Sequence, residues 1–468
     1  MSYADRELIS LSMAEAGELL RAKQVSSLDL TRACLNRIEQ YNPVLNAFIT
    51  ITTESASADA KAADEEIARG GYRGPLHGIP IALKDLIDTA GARTTAGSAV
   101  YEHRKPERDA TVVRKLREAG AVFLGKLNLH EFAYGGSGVV SHFGPVRNPW
   151  DTSKTTGGSS SGSAAAVASG MCFAALGTDT AGSIRLPASL CGITGLKPTY
   201  GLVSAAGVIP LCWTYDHIGP MTRTALDAAL LLDVIAGYDP EDPTGLAARY
   251  ESVAGQLESL PTKLRLGIAR EFFLDELDRE VGAAFDAAAE TLAGMLGSRL
   301  VEVKVPLEKS NVVRVAEPYA YHEALLEKHA NLYQPATLER IRAGAGISAT
   351  KYLEVRRELE VLRRRAVDVF EHVDLIATPT VPCLPYGVEE LVNTPGELRP
   401  RELRMLRNTR PFNTVGWPTI TVPCGLSGRL PIGLQLAAAP GKDGLLLQVA
   451  HAFEKQTGWV ERLPVTPA

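Results

Sequence analysis

The sequence has no C-x-x-C pair. Its six cysteines, Cys34, Cys172, Cys191, Cys212, Cys383 and Cys424, are scattered over 468 residues. That spacing argues against a zinc site or a disulfide framework and suits reduced, mostly buried thiols in a cytoplasmic protein. Cations are not in excess: 49 Lys and Arg face 54 Asp and Glu, a formal net charge of −5. A nucleic-acid partner, which wants a basic face, is therefore not expected. Also absent is any apolar run of the ~20 residues that a membrane-spanning helix needs. The opening Met1 to Glu7 has no basic region followed by an apolar stretch, so no secretory signal is expected either. What is there is ordinary globular material, 45% hydrophobic and 22% charged, enough for a sizeable core. At this length one large domain with an insertion and two domains are both open.

Local patterns alternate between helix and strand. Leu11, Ala14, Leu19 and Leu20 recur at helical spacing, and Ser26-Ser27-Leu28-Asp29 offers an N-cap, so residues 11–41 are expected to form two helices. Residues 56–69 read as a third. Gly78 to Ile87 is a short apolar run bounded by turn residues, as a buried strand would be, yet it contains Lys84. A buried lysine needs a partner. Residues 111–120 read as a helix leading into a strand at 121–125, the alternation of an α/β chain. Further helices are expected over 224–236, 278–296, most of 319–372 and 445–454, with strands at 264–269, 300–305, 374–377, 419–422 and 432–437. The Pro- and Asp-rich stretch 239–261 reads as a surface excursion. Arg356, Arg357 and Arg363 to Arg365 interleave with Glu354, Glu358 and Glu360, which suggests a solvated helix face.

Two clusters of glycine and hydroxyl residues stand out, Gly157 to Ala164 and Gly177 to Arg185, joined through the apolar link Ala164-Ala165-Ala166-Val167-Ala168. Glycine lets main-chain N–H groups approach a ligand closely, and the apolar link is unlike a flexible tether. Three familiar patterns fail or compete here. Gly120 to Lys126 opens like a phosphate-binding loop, but Leu127 stands where Ser or Thr would hold magnesium. His130-Glu131 opens like a zinc-protease helix, but Tyr134 stands at the second histidine position. Gly158 to Gly162 satisfies the nucleophile elbow G-x-S-x-G, which would make Ser160 the nucleophile and His451 its base. That alternative leaves Lys84 and the segment 178–185 without a role.

Taken together these stretches resemble the amidase signature family. The resemblance rests on Gly157-Gly-Ser-Ser-Ser-Gly162 and Gly177-Thr-Asp-Thr-Ala-Gly-Ser-Ile-Arg-Leu-Pro-Ala188, with flanks at Gly78 to Asp85, Phe143 to Trp150, Gly195 to Gly201 and Asp216 to Pro220. Pro418 to Gly425 and Pro431 to Leu436 complete it. It covers most of the chain and implies one amidase signature domain over residues 1–468, least distinctive in the helical region from about 240 to 370. The implied fold is α/β/α, a large mixed twisted sheet covered by helices. The implied chemistry is amide hydrolysis by a serine hydrolase through an acyl-enzyme, with Ser183 as nucleophile, Ser159 as bridging serine after a cis peptide bond, and Lys84 as base. A lysine serves as base only when neutral, so burial must lower its pKa. A hydroxyl both donates and accepts, so Ser159 can relay a proton. Thr180, Ala181 and Gly182 are implied as the oxyanion hole. No metal or organic cofactor is implied.

Two classes of relative differ in substrate. Glutamine-hydrolysing A subunits of tRNA-dependent amidotransferases work in a complex and must hold an α-ammonium. Free-standing amidases cleave amides, anilides and, in some members, carbamates (the urethanases). The segment where the A subunits place an acid here carries Arg399, Arg401, Arg404, Arg407 and Arg410, with Glu397 and Glu402 as nearby acids, a poor setting for an ammonium. Trp213, and Tyr134 with Gly135 and Gly136, are expected to line the substrate cleft, whose aromatic walls favour apolar groups. The expectation is thus a free-standing cytoplasmic amide or carbamate hydrolase, monomer or homodimer, with a small-molecule substrate and no membrane or nucleic-acid partner. The A subunit is the alternative.

Overall fold

Leu30, Ala33, Cys34, Ile38 and Tyr41 recur every three or four residues, and all five are buried on one face of the helix Ser27–Leu45. Ser26 caps it as expected: its hydroxyl accepts the N–H of Asp29, whose carboxylate in turn accepts the N–H of Ser26. The computed structural model that contains this helix describes residues 5–247 and 250–459.

The strands are β1 (Phe48–Ile51), β2 (Pro80–Lys84), β3 (Val122–Leu127), β4 (Arg147–Asn148), β5 (Asp151–Thr155), β6 (Ala174–Thr178), β7 (Thr194–Lys197), β8 (Ile218–Thr222), β9 (Leu266–Ile268), β10 (Leu300–Glu302), β11 (Leu375–Pro379), β12 (Thr419–Ser427) and β13 (Leu430–Ala438). Among the described residues β4 and β5 form a small hairpin, and the other eleven form one mixed sheet in the order β1-β3-β2-β6-β8-β7-β12-β13-β11-β9-β10. The described residues also form sixteen α-helices around it. The fold is the expected α/β arrangement with a large mixed sheet. No helix of the described residues is long and apolar enough to cross a membrane.

β2 lies parallel to both of its neighbours, β3 and β6, and every residue of the three is buried. Strands covered on both faces read as continuous apolar runs, which is why Ile81-Ala82-Leu83 is recognisable without alternation. Because β2 and β6 run the same way, Lys84 and Thr178 finish them at the same edge of the sheet. In open α/β sheets the carboxyl ends of parallel strands are where ligands collect.

Two expectations change. Residues 239–261 are not simply a surface excursion: Asp239 is buried and accepts hydrogen bonds from the hydroxyls of Thr111 and Ser204, both at 2.6 Å. Arg363 does not belong to a solvated face. It donates to the carbonyls of Thr214 and Thr414, both at 2.8 Å, and lies over the rings of Tyr200 and Tyr215. Its planar cation finds carbonyl acceptors and aromatic faces at once, which charge patterning along one helix does not reveal.

Candidate active site

Lys84 is fully buried, and its Nζ donates to Ser159 Oγ at 2.7 Å and to Thr178 Oγ1 at 2.8 Å. Burial pushes the amine down to about 7, while Asp179 and Asp216 pull it partly back up. Among the described residues no carboxylate contacts it, only two hydroxyls. Asp216 is itself pushed up to about 6 by burial, although its carboxylate accepts from Thr180 Oγ1 at 2.5 Å and from the N–H groups of Leu211 and Cys212.

Ser159 follows a cis peptide bond, Gly158–Ser159, as the family resemblance implied. Gly158 packs so closely that a Cβ would stand 2.8 Å from the Gly138 nitrogen, so the turn into Ser159 needs glycine. The next residue ties this turn to the second cluster, since the N–H of Ser160 donates to the Ser183 carbonyl at 3.2 Å. The hydroxyl of Ser160 is taken up by Thr178, donating to its carbonyl and accepting its N–H, each at 3.2 Å. His451 pairs with Glu258 at 3.1 Å in the last helix, Asp443–Thr457. Neither member of the alternative Ser160–His451 pair is engaged with the other.

The loop between β6 and the helix Arg185–Cys191 is organised by one carboxylate. Asp179 accepts the N–H of Gly182 at 2.8 Å and of Ile184 at 3.2 Å, two bonds from the Arg185 guanidinium at 2.9 and 3.0 Å, and one from Asn413 at 2.7 Å. Burial alone would raise its pKa, but Arg185, Lys197 and Asn413 outweigh that and hold it below the usual carboxylate range. Arg185, also fully buried, continues to Gln435 Oε1 at 2.8 Å, to the Thr409 carbonyl at 3.0 Å and to Asn413 Oδ1 at 2.7 Å. Sequence reasoning misses this network, although Asp179, Arg185 and Gln435 stand in the Gly177 to Ala188 and Pro431 to Leu436 stretches that carry the family resemblance. Asn413 and Gln435 are more than 200 positions away from Arg185.

The resemblance implies three residues for the oxyanion hole, and their roles divide. The left-handed position in the loop is Gly182, φ +131°, where a Cβ would overlap the Thr409 side chain, whereas Ala181 keeps an ordinary negative φ. The Gly182 N–H is the one that donates to Asp179, so it points into that network. The N–H groups of Thr180 and Ala181 have no such partner among the described residues.

Two adjoining cavities meet at Ala133, Thr180 and Leu211. The smaller, about 220 Å³, is lined by Ser183, Ala181, Tyr134, Gly135 and three arginines, Arg314, Arg399 and Arg410. The larger, about 460 Å³, is mostly apolar, with Val208, Ile209, Pro210 and Trp213 in its wall and Asp216 among its few polar groups. Tyr134 and Trp213 therefore line different cavities; the Tyr134 hydroxyl donates to the Arg314 carbonyl at 3.1 Å and Trp213 is 39% exposed. Gly136 lines neither and packs on Leu406 and Glu402. The cationic lining of the Ser183 cavity departs from the aromatic walls expected. Among the described residues no group of three or more His, Cys, Asp or Glu is placed to hold a metal ion.

The family model described as Amidase matches residues 29–447. The A chain of the glutamyl-tRNA(Gln) amidotransferase of Carboxydothermus hydrogenoformans is 40% identical over 98% of this chain and 99% of its own length. Among solved structures, an inhibitor-bound chain from a vestigial protein complex bearing on the origins of an s-triazine catabolic enzyme superposes with a TM-score of 0.88 and 34% identity, covering 96% of this chain and 99% of that one. The peptide amidase of Stenotrophomonas maltophilia gives a TM-score of 0.85 and 31% identity, covering 98% and 99%.

Proposed function

The chain belongs to the amidase family, an enzyme of C–N bond hydrolysis, and from that premise we propose that it cleaves amides through an acyl-enzyme on Ser183. The observation that carries the proposal is the buried Lys84, bonded to Ser159 and Thr178 and held near neutrality in pKa. A serine hydroxyl is a weak nucleophile until a base takes its proton. In the proposed path Ser183 Oγ attacks the amide carbon while its proton passes to Ser159 Oγ, and the Ser159 proton passes to neutral Lys84. The tetrahedral oxyanion is met by the N–H groups of Thr180 and Ala181, with Gly182 shaping the loop rather than donating. Collapse breaks the C–N bond, and the proton held by Lys84 returns through Ser159 to the departing nitrogen. Water then hydrolyses the acyl-enzyme by the same relay.

A serine-reactive phosphonate followed by mass spectrometry tests this. The label is expected on Ser183, lost in Ser183→Ala and retained in Ser160→Ala; a label on Ser160 would overturn the assignment.

Two settings divide the family members described above. Whole-length identity of 40% to the A chain of an amidotransferase favours that setting, in which the chain frees ammonia from an amide donor inside a complex, over the free-standing hydrolase, supported by the peptide amidase structure at 31% identity. Anilide and carbamate cleavage belong to the second setting. Assembly is checked by co-purification of the tagged chain from its host: a stoichiometric partner supports the amidotransferase setting, and a lone chain that turns over an aryl amide supports the other.

A further inference from the structure

The Ser183 cavity carries positive charge that the protein does not neutralise. Four guanidiniums, those of Arg314, Arg340, Arg399 and Arg410, share two carboxylates, Glu308 and Glu402. The pairing is uneven. Arg314 is engaged through each of its three nitrogens: it donates to Glu308 at 3.0 Å, to the Thr180 carbonyl at 2.9 Å and to Thr414 Oγ1 at 3.0 Å. Arg340 holds Glu402 at 2.8 Å. By contrast Arg399 reaches Glu402 only at 3.5 Å, and Arg410 reaches Glu308 only at 3.9 Å. Each guanidinium has five N–H donors in a planar fork shaped for a carboxylate. Among the described residues these two side chains make no other hydrogen bond or ion pair, yet both line the cavity that Ser183 lines. Burial and the neighbouring Arg314 push Arg410 down to about 10, against the opposing pull of Glu308. Among the described residues no Asp or Glu lines this cavity.

We propose that the substrate is an amide bearing a carboxylate, held by Arg399 and Arg410, with no ammonium group beside that carboxylate. The inference rests on the amidase reading above and deepens it by naming the substrate class. It separates assembly from substrate: a chain built for an amidotransferase complex can keep a partner and still take an amide other than glutamine. A bidentate Arg–carboxylate contact adds both energy and orientation, and would hold the scissile amide at Ser183. An ammonium in this cavity would meet two under-paired cations and no carboxylate among the described lining residues.

Ammonia release from succinamate, glutaramate and adipamate, each compared with the uncharged butanamide, pentanamide or hexanamide, tests the proposal on the full chain. At least one carboxylated amide should exceed its uncharged match by about tenfold or more in kcat/KM. Arg399→Gln and Arg410→Gln should each shrink that ratio about tenfold, and Arg410→Lys should keep more of it than Arg410→Gln. Glutamine, which is glutaramate with an added α-ammonium, should trail glutaramate. Phosphonate labelling of Ser183 in every variant reports that the site is folded. Equal use of charged and uncharged amides, a ratio unmoved by both Gln substitutions, or glutamine ahead of glutaramate overturns the proposal. So does consumption of no amide while Ser183 still labels. Failure of the wild-type chain to label at Ser183 would overturn the amidase reading as well, so the two failures are distinguishable.

Discussion

At the scale of single residues, burial decides what Lys84 can do. An ammonium enclosed by two hydroxyls and no contacting carboxylate loses its hydration without full compensation, so the neutral amine is favoured. Only that form accepts a proton, so activity should rise with pH through about 7. A pH profile of kcat/KM on an uncharged amide checks the sign; activity falling through that range would refute a lysine base. Lys84→Ala should cost several orders of magnitude in kcat, and His451→Ala, on the surface with Glu258, should cost little. Trp213 makes a different kind of contribution. Its exposed ring lines the apolar cavity next to the site. Truncation to Ala would remove about 60 Å² of apolar contact from a large substrate, worth on the order of 1.5 kcal/mol or about tenfold in KM. A small substrate such as acetamide should be nearly indifferent. Equal losses on both, with a lowered Tm, would assign Trp213 to packing alone.

At the scale of elements, the loop from Asp179 to Ile184 is shaped by contacts that converge from three separate stretches of chain. Asp179 holds the N–H of Gly182 and Ile184, Arg185 clamps Asp179 from the following helix, and Asn413 and Gln435 arrive from the C-terminal part. Asp179→Asn would leave Arg185 buried with its carboxylate gone, and breaking a buried pair costs about 3–5 kcal/mol. The expected outcome is a lowered Tm together with loss of Ser183 labelling, read by thermal melts and mass spectrometry; a variant as stable and as reactive as the parent would contradict it. The same loop shows what can be read in the sequence. Lys84 is visible because a charged residue interrupts an apolar run, and Ser159 and Ser183 because glycine and hydroxyl residues cluster around them. The parallel strands β2 and β3 and the long helices are visible from apolar runs and helical spacing. Asp179 and Arg185 carry no local signal, since a buried ion pair looks like two surface residues until its partners are placed. The cation-lined cavity is half legible: the arginines of 399–410 stand out as hostile to an ammonium, but Arg314 joins them from a helix, Val312–His329, whose sequence gives no hint of the cleft.

At the scale of the whole molecule, several buried ionisable groups in and against the sheet hydrogen-bond to neutral partners. Glu454, in the last helix, is buried and accepts the Thr194 hydroxyl of β7 at 2.6 Å and the N–H of Ala225, the first residue of the helix Ala225–Ile235, at 2.8 Å. It joins the end of the chain to the central strands. Burial, with Asp227 adding to it, pushes its pKa from 4.5 up to about 8. A carboxyl whose folded pKa lies above its unfolded value favours the folded state most while both states are protonated. Its contribution is therefore fully present below about 4.5, declines as the unfolded chain ionises, and is gone once pH passes about 8. Lys84 and Lys126, pushed down to about 7 and about 8, act oppositely but in a higher window, between those values and the 10.5 of a free lysine. Comparing wild type with Glu454→Gln isolates the carboxyl, because glutamine keeps its volume and stays neutral throughout. Wild type should lose stability relative to Glu454→Gln between pH 5 and pH 8, by on the order of 3 kcal/mol at ~1.4 kcal/mol per pKa unit. For a chain of this size that is a relative Tm shift of about 3 °C. A Tm difference between the two that stays constant over that range would mean that water reaches Glu454 and that its ionisation is not what ties the C-terminal helix to the sheet.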